Sequence, residues 1–515
     1  MSCQHNKQPG FLPLLSIMMI LFLNSSSAEN KNPSDTSAIT IYSSAQPGAV
    51  DIRHYRNNPA GASSIPGYAM VRQERIVPLK KGRHTLKFTD VAAGIDPTTV
   101  NFATPDHPGI ARVLEQNYQF DIVSIDKLMH RYLGQTVRVT QTSGSDTTEI
   151  EGVLLGTNGG LIIQKNTGEV VTLKRWDHVR FPSLPGGLLT RPTLVWLLDS
   201  DTSGAERIRL TYQTSGMTWW ADYNLLLSEN PGKDPACHID LSAWVSLVNQ
   251  SGSSFQDARL KLIAGDVNRA TPHPRSRILM KAVEAAPVAE DSGFREKSLF
   301  EYHLYTLPRR VDLPNNSSKQ IELFPAVNHI PCKKELVFNN NRGFSGYYGG
   351  TPNTASGYNR QHKGAAEAFL SFKNTPDNGM GIPLPAGRVR VSQMDSADGS
   401  LEFIGEDVIA HTPRNETVRI KLGNAFDVVG ERTQTDIQID TKARRLQESF
   451  EVTLRNQKDV PVTVKVIEPL YRWHQWKILK TSDKYHKQDA SHVVFEVRIP
   501  PQKEKKLSYT VLYQW

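Results

Sequence analysis

Val245-Ser246-Leu247-Val248-Asn249-Gln250 is echoed by Val452-Thr453-Leu454-Arg455-Asn456-Gln457. Each stretch ends a strand pattern at Asn-Gln, crosses a polar turn, and re-enters a strand pattern at Arg259–Ile263 or Val462–Val466. In a strand, successive side chains point to opposite faces, so alternation gives one buried and one wetted face. A strand–polar turn–strand unit of this kind fits an immunoglobulin-like sandwich. The echo has two open explanations: an internal duplication, or two hairpins that obey one pattern.

The same alternation extends outward in both directions. Ala38–Tyr42 opens the first strand, and Arg75–Leu79 and His84–Phe88 flank the polar turn Lys80-Lys81-Gly82-Arg83 as a hairpin. At Ser124–Tyr132 the period changes. Ile125, Leu128 and Met129 share a helical face, Ser124 is a good N-cap, Asp126 lies in the first turn, and Gly134 can end the helix. Short strand patterns follow at Thr136–Thr140, Glu149–Leu155, Leu161–Gln164, Val170–Lys174 and His178–Phe181, which suggests a small barrel closing its own edges. The expected fold class is mainly β, with antiparallel β-sandwich domains, an inserted small SH3-like or Sm-like β-barrel, and few helices. The expected organisation is a β-rich domain over 38–123, the helix and barrel over 124–182, and a sandwich region over 190–515. Two stretches, 266–297 and 339–364, lack β alternation and read as disordered inserts.

The N-terminus reads as an export signal. Phe11–Leu23 is an apolar run of 13 residues. That is short of the roughly 20 a membrane helix needs and inside the roughly 7–15 of a signal-peptide core. Ser26-Ser27-Ala28 places small residues for cleavage after Ala28, and 29–37 reads as a disordered leader. An uncleaved anchor is the alternative. Cys3 would leave with the signal, so Cys237 and Cys332 remain as a disulfide or as two buried thiols. The net charge of +8 is mild for 515 residues and suggests an anionic envelope polymer or a lipid headgroup, and an envelope protein is the other expected partner. Contact with membrane is expected to be peripheral at most, and export argues against nucleic acid.

The order of several motifs resembles a known family. They are Ile39–Tyr42, Phe88–Pro97 (FTDVAAGIDP), Leu114–Tyr118 (LEQNY), Tyr212–Trp219 (YQTSGMTW), Asn249–Gly252 with Ala264–Asn268, and Glu301–Leu307 (EYHLYTL). Together they resemble exported bacterial proteins grouped by a domain of unknown function, distantly related to mucoidy-inhibitor A proteins. The resemblance spans nearly the whole mature chain. It implies bacterial origin, export and β-sandwich domains, and brings no reaction or catalytic residue.

The common catalytic signatures are missing. There is no nucleophile elbow, zinc helix, Walker loop, dinucleotide fingerprint, Cys-x-x-Cys pair or EF-hand loop. No catalytic, cofactor or metal residue is assigned. His303, His474, His486 and His492 match no metal-ligand spacing. Asp266, Glu406 and Asp407 are the nominees for a glycan hydrolase, since carboxylate partners meet only in space. The aromatics are more suggestive. Trp219, Trp220, Tyr223 and Trp244 lie in or beside two consecutive strands, and Tyr471, Trp473 and Trp476 cluster near the C-terminus. Such rings either stack on sugars or fill a core. Adjacent Trp219 and Trp220 must point to opposite faces. Leu507, Tyr509, Val511, Tyr513 and Trp515 alternate to the end, as in a final sandwich strand or an outer-membrane barrel. The expected function is a periplasmic or extracellular binding or structural protein of the cell envelope. A glycan hydrolase and an outer-membrane-associated protein are the alternatives.

Overall fold

The computed structural model describes residues 35–42, 65–119, 123–143, 146–183, 191–229, 237–265, 267, 294–340, 352–355, 361–395 and 397–515. The expected signal, most of the expected leader, most of 266–297 and parts of 339–364 lie outside them. Three expected boundaries move. The first strand begins at Thr36, inside the leader, and Arg295–Leu299 and Gln361–Lys373 are strands that begin inside the two inserts.

Alternation becomes sheet throughout. One sheet orders its strands as Arg295–Leu299, Tyr302–Thr306, Phe255–Ala264, Thr36–Tyr42, Tyr68–Leu79, Gly204–Ser215 and Ile95–Ala103, with Val311–Leu313 on Phe255–Ala264. A three-stranded sheet sets Thr193–Ser200 between Gly82–Thr89 and Ala111–Gln119. The expected separate domain over 38–123 is therefore corrected: its strands pair with partners after residue 190 and share one core with them. Strand pairing satisfies main-chain groups regardless of distance along the chain, so chain order could not mark this boundary.

The stretch 124–182 is an insertion with its own core, from Met129 and Tyr132 to Leu173. Its helix, Ile125–Arg131, starts with the Lys127 amide donating to Ser124 Oγ at 3.3 Å. Its strands run His178–Arg180, Thr136–Ser143, Asp146–Gly156, Leu161–Lys165, Val170–Leu173 in spatial order. The two end strands are not paired with each other among the described residues, so this SH3-like sheet is open where a closed barrel was expected.

The largest sheet carries the echo. Asn249 pairs with Met217 and Ser317, and Asn456 pairs with Val428 and Lys503. Both asparagines are fully buried. Asn249 Nδ2 donates to the carbonyls of Ser253, Leu313 and Pro314, and Asn456 Nδ2 to those of Val460, Ile499 and Pro500. Across the first core Phe255–Ala264 pairs with Val311–Leu313, as across the second core Val462–Pro469, a branch of the largest sheet, pairs with His492–Ile499. The chain thus holds two copies of one sandwich unit, each pinned by a buried asparagine whose amide donates to three carbonyls. Ser317–Asn339 and Thr417–Asp440 run through both copies: Ile330 and Ile420 belong to the first core, Phe338 and Val428 to the second. Leu507, Tyr509, Val511 and Tyr513 face the second core, so the terminal alternation is that of a sandwich strand.

Buried tyrosines tie both cores to pH. Burial pushes the hydroxyls of Tyr212, Tyr223, Tyr305, Tyr509 and Tyr513 above their ordinary pKa. Above pH ~10 the unfolded chain loses these protons while the folded chain keeps them. The folded state then binds more protons, so stability is full below that pH and falls as pH rises beyond it. Urea midpoints taken across this range should decline as the tyrosinate absorbance of the unfolded protein rises. A flat midpoint would contradict the burial.

Candidate functional site

In Met217–Glu229, alternation sends Trp219, Ala221, Tyr223, Leu225 and Leu227 into the first core. Trp220, Asp222, Asn224 and Leu226 face the other way. The neighbouring strand Cys237–Asn249 adds Trp244 and Ser246 to that outer face, with Trp244 directly opposite Asp222. Gly387–Met394 runs parallel on the other side and adds Arg388 and Arg390. Gly387 permits this approach, because a Cβ there would lie 2.5 Å from the Ala221 carbonyl oxygen and 2.6 Å from the Tyr223 ring.

Asp222 organises the face. It is 5% exposed, and its Oδ2 accepts from Trp220 Nε1 at 2.8 Å and Ser246 Oγ at 2.6 Å. Gln320 Nε2 donates to Ser246 Oγ at 3.1 Å. Oδ1 makes no hydrogen bond; it faces Arg388 Nε at 3.7 Å and Arg390 Nη1 at 3.6 Å. A buried carboxylate needs positive partners, so it aligns two guanidiniums along the sheet. Arg390 Nε also sits 3.6 Å from Glu406 Oε2. Beside this row the Trp244 side chain stands open to solvent, while Trp220 is covered by Ile65 and Val248.

Further along the same strands lies a cavity of about 210 Å³, lined by Asn224, Leu226, Asp240, Ser242, Asn328 and Leu401 among others. The ladder between Cys237–Asn249 and Ser317–Asn339 breaks register three times between Ile239 and Trp244. Such bulges re-aim side chains. Here His329 takes φ 59° and its amide donates to Asp240 Oδ1 at 2.8 Å. The cavity is smaller than the roughly 300–1,000 Å³ of pockets that engulf small molecules. It suits a protruding group of a larger ligand lying on the surface.

The expected stacking aromatics divide. Trp219 and Tyr223 are corrected to core residues: Trp219 meets the Tyr305 ring edge-on at 6.3 Å, and Tyr223 Oη donates to the Pro385 carbonyl at 2.8 Å. Trp220 faces outward but is covered, and Trp244 presents open indole surface. Tyr471 is buried, and Trp476 is half-buried with Nε1 donating to the Ala490 carbonyl. Cys237 and Cys332 face each other across the ladder as a disulfide.

The other nominees have local partners. His303 bonds Glu296 at 2.7 Å, His492 bonds Asp489 at 2.9 Å, and His474 lies against Trp473. No group of three or more His, Cys, Asp or Glu among the described residues could hold a metal ion. Asp266 lies outside the described residues. Asp407 accepts from the amides of Val408 and Lys421, joining two strands. Glu406 and Asp222 flank one guanidinium, which fills the gap that a hydrolase leaves for sugar or water. Sequence reasoning missed Asp222, Arg388 and Arg390. Their signal was present in Arg388-Val389-Arg390, two charges held on one face by strand alternation.

A second polar cluster lies inside the second sandwich. Arg432 Nε donates to Glu468 Oε2 at 2.7 Å, and Tyr509 Oη donates to the same oxygen at 2.7 Å. Arg472 Nε donates to Glu448 Oε2 at 3.0 Å, while its Nη1 reaches the carbonyls of Asn353 and Ala355. All four charged residues are fully buried. Their places in the first copy are apolar where register can be compared: Ala221 pairs with Val245 as Arg432 pairs with Val452.

No curated protein and no solved structure matches the chain. A family model described as a domain of unknown function, DUF4139, matches residues 208–515, more than half of the chain and both copies of the sandwich unit from Ile208 onward. The chain belongs to this DUF4139 family.

Proposed function

We propose that the protein is an exported binding protein of the bacterial cell envelope, and that the outer face of its first sandwich recognises a glycan chain. The observation that carries this reading is the open Trp244 indole beside the two guanidiniums aligned by buried Asp222. A sugar ring offers an apolar face to an indole and hydroxyls to planar charged groups. The shallow cavity next to them gives a protruding substituent a place. The second copy has Thr433 and Glu451 where the first has Asp222 and Trp244, so the shared fold does not require this set. Export is supported by the apolar run Phe11–Leu23 and by the family resemblance, which also carries the distant relation to mucoidy-inhibitor A proteins.

The test is Trp244→Ala, read on an array of envelope oligosaccharides and on native envelope extract. Truncating a central aromatic anchor typically costs about 2 kcal/mol, roughly thirtyfold in affinity. Trp244 is 37% exposed, so the variant's urea midpoint is measured alongside, and the loss of binding is read on protein that is still folded. Glycan retention that is unchanged in this variant would overturn the reading. Retention of a protein and no glycan would replace it with an envelope-protein partner.

A further inference from the structure

We propose that the strip Trp476–Lys487 is a second binding surface, which docks the protein onto an anionic lipid bilayer. The strip joins two edge strands. Trp476–Thr481 ends the path of the largest sheet beyond Lys503–Gln514, and Tyr485–Lys487 pairs only with His492–Ile499 among the described strands. One short segment thus borders both layers of the second sandwich.

Its chemistry is that of an interface. Lys477, Lys480, Lys484 and Lys487 are all exposed, and the strip's single acid, Asp483, faces Lys505 at 3.6 Å. Lys477, Lys480 and Lys484 join no ion pair among the described residues, whereas Glu504, Lys505 and Lys506 on the neighbouring strand Lys503–Gln514 are paired. Lys487 Nζ lies 4.3 Å over the Trp476 ring. Leu479 and Tyr485 are exposed between the lysines, at 43% and 37%. Residues 428–515 hold 16 Lys and Arg against 11 Asp and Glu, so more than half of the chain's net +8 lies in this sandwich.

Lysines on an edge strand often serve to block pairing with other chains. A strand guarded in that way does not gain by exposing Leu479 and Tyr485 beside its charges. Interleaved Lys, Leu and Tyr match a headgroup boundary, where rings sit at the polar level and lysine stems lie along apolar surface with their charges in water. A linear polyanion would use the lysines and leave the exposed Leu479 without a role. Bilayer contact is therefore the better match.

Cosedimentation of the purified protein with vesicles tests this. Binding is expected to phosphatidylglycerol–phosphatidylcholine vesicles and not to phosphatidylcholine alone, and it should fall as salt is raised. Each lysine near such a surface contributes about fivefold, so K477A/K480A/K484A should weaken binding roughly a hundredfold. Leu479→Ala should weaken it further with the charge unchanged. These positions are exposed, and unchanged thermal unfolding of each variant confirms an intact fold. Trp244→Ala should bind vesicles normally, which separates this surface from the glycan face. Equal binding to neutral vesicles, or no loss in the triple variant, overturns the proposal. Lysine-dependent capture of a soluble anionic polysaccharide without vesicle binding also overturns it, in favour of a polymer ligand.

Discussion

Glu468→Gln lowers the unfolding free energy by about 3–5 kcal/mol. Glu468 and Arg432 are fully buried, and the carboxylate accepts from both Arg432 Nε and Tyr509 Oη. Removing its charge leaves a guanidinium in the second core without its carboxylate, where the Phe450 ring, 3.6 Å away, and the hydroxyls of Tyr509 and Tyr471 compensate in part. Burial works against the charge of Arg432, and the nearby Glu468 and Tyr509 outweigh it, holding its pKa above the ordinary arginine value. The double variant Arg432→Leu with Glu468→Leu should be less damaging than either single change, because no uncompensated charge remains. The first copy shows that the unit tolerates an apolar residue at the position of Arg432, where it carries Ala221. Urea denaturation of the two single variants and the double variant gives the coupling directly. Additive losses would mean that the pair does not act as a unit.

The disulfide carries a loss of similar size. Cys237→Ala with Cys332→Ala frees a closed loop with a sequence separation of 95. The chain-entropy model puts the cost of releasing such a loop at about 4–5 kcal/mol. The bridge ties Cys237–Asn249 to Ser317–Asn339 where the register shifts begin, so the variant should also loosen the cavity beside Asp240. Melting with and without reductant measures the loss, and reductant should have no effect on the double variant. Equal melting temperatures of the oxidised wild type and the double variant would show that the bridge adds nothing. Peptide mapping of native protein adds a test of export: an oxidised pair indicates an oxidising compartment, and two free thiols would count against one.

Much of the fold was legible because strands and helices write their period into the chain. The helix Ile125–Arg131 and its Ser124 cap, the five strands of the inserted module and the alternation of Leu507–Tyr513 all emerge near their expected places. The Asn-Gln echo marked the duplication without deciding it. What decided it was the set of three carbonyls held by each asparagine, and those carbonyls belong to residues up to 65 positions away.

The candidate site was legible only in half. Alternation alone fixed that Trp219 and Trp220 face opposite ways, but not which face is core. That depends on which surface the facing sheet covers, and the facing sheet includes strands from the far N-terminus, Thr36–Tyr42 and Tyr68–Leu79. Asp222, Trp244, Arg388 and Arg390 meet because Gly387–Met394 returns, after the rest of the first copy and an excursion to the second core along Ser317–Asn339 and Gln361–Lys373, to lie parallel beside Met217–Glu229. The β class, the inserted module, the candidate cysteines and the alternation of the long strands were readable from the chain alone, since these follow from local sterics and side-chain period, whereas Arg295–Leu299 was hidden in a stretch without alternation. Only the tertiary structure decided the strand partners, the buried ion pairs and the outer face. Main-chain hydrogen bonds between strands carry almost no sequence signature, so the choice of neighbour rests on the summed burial of the whole sheet.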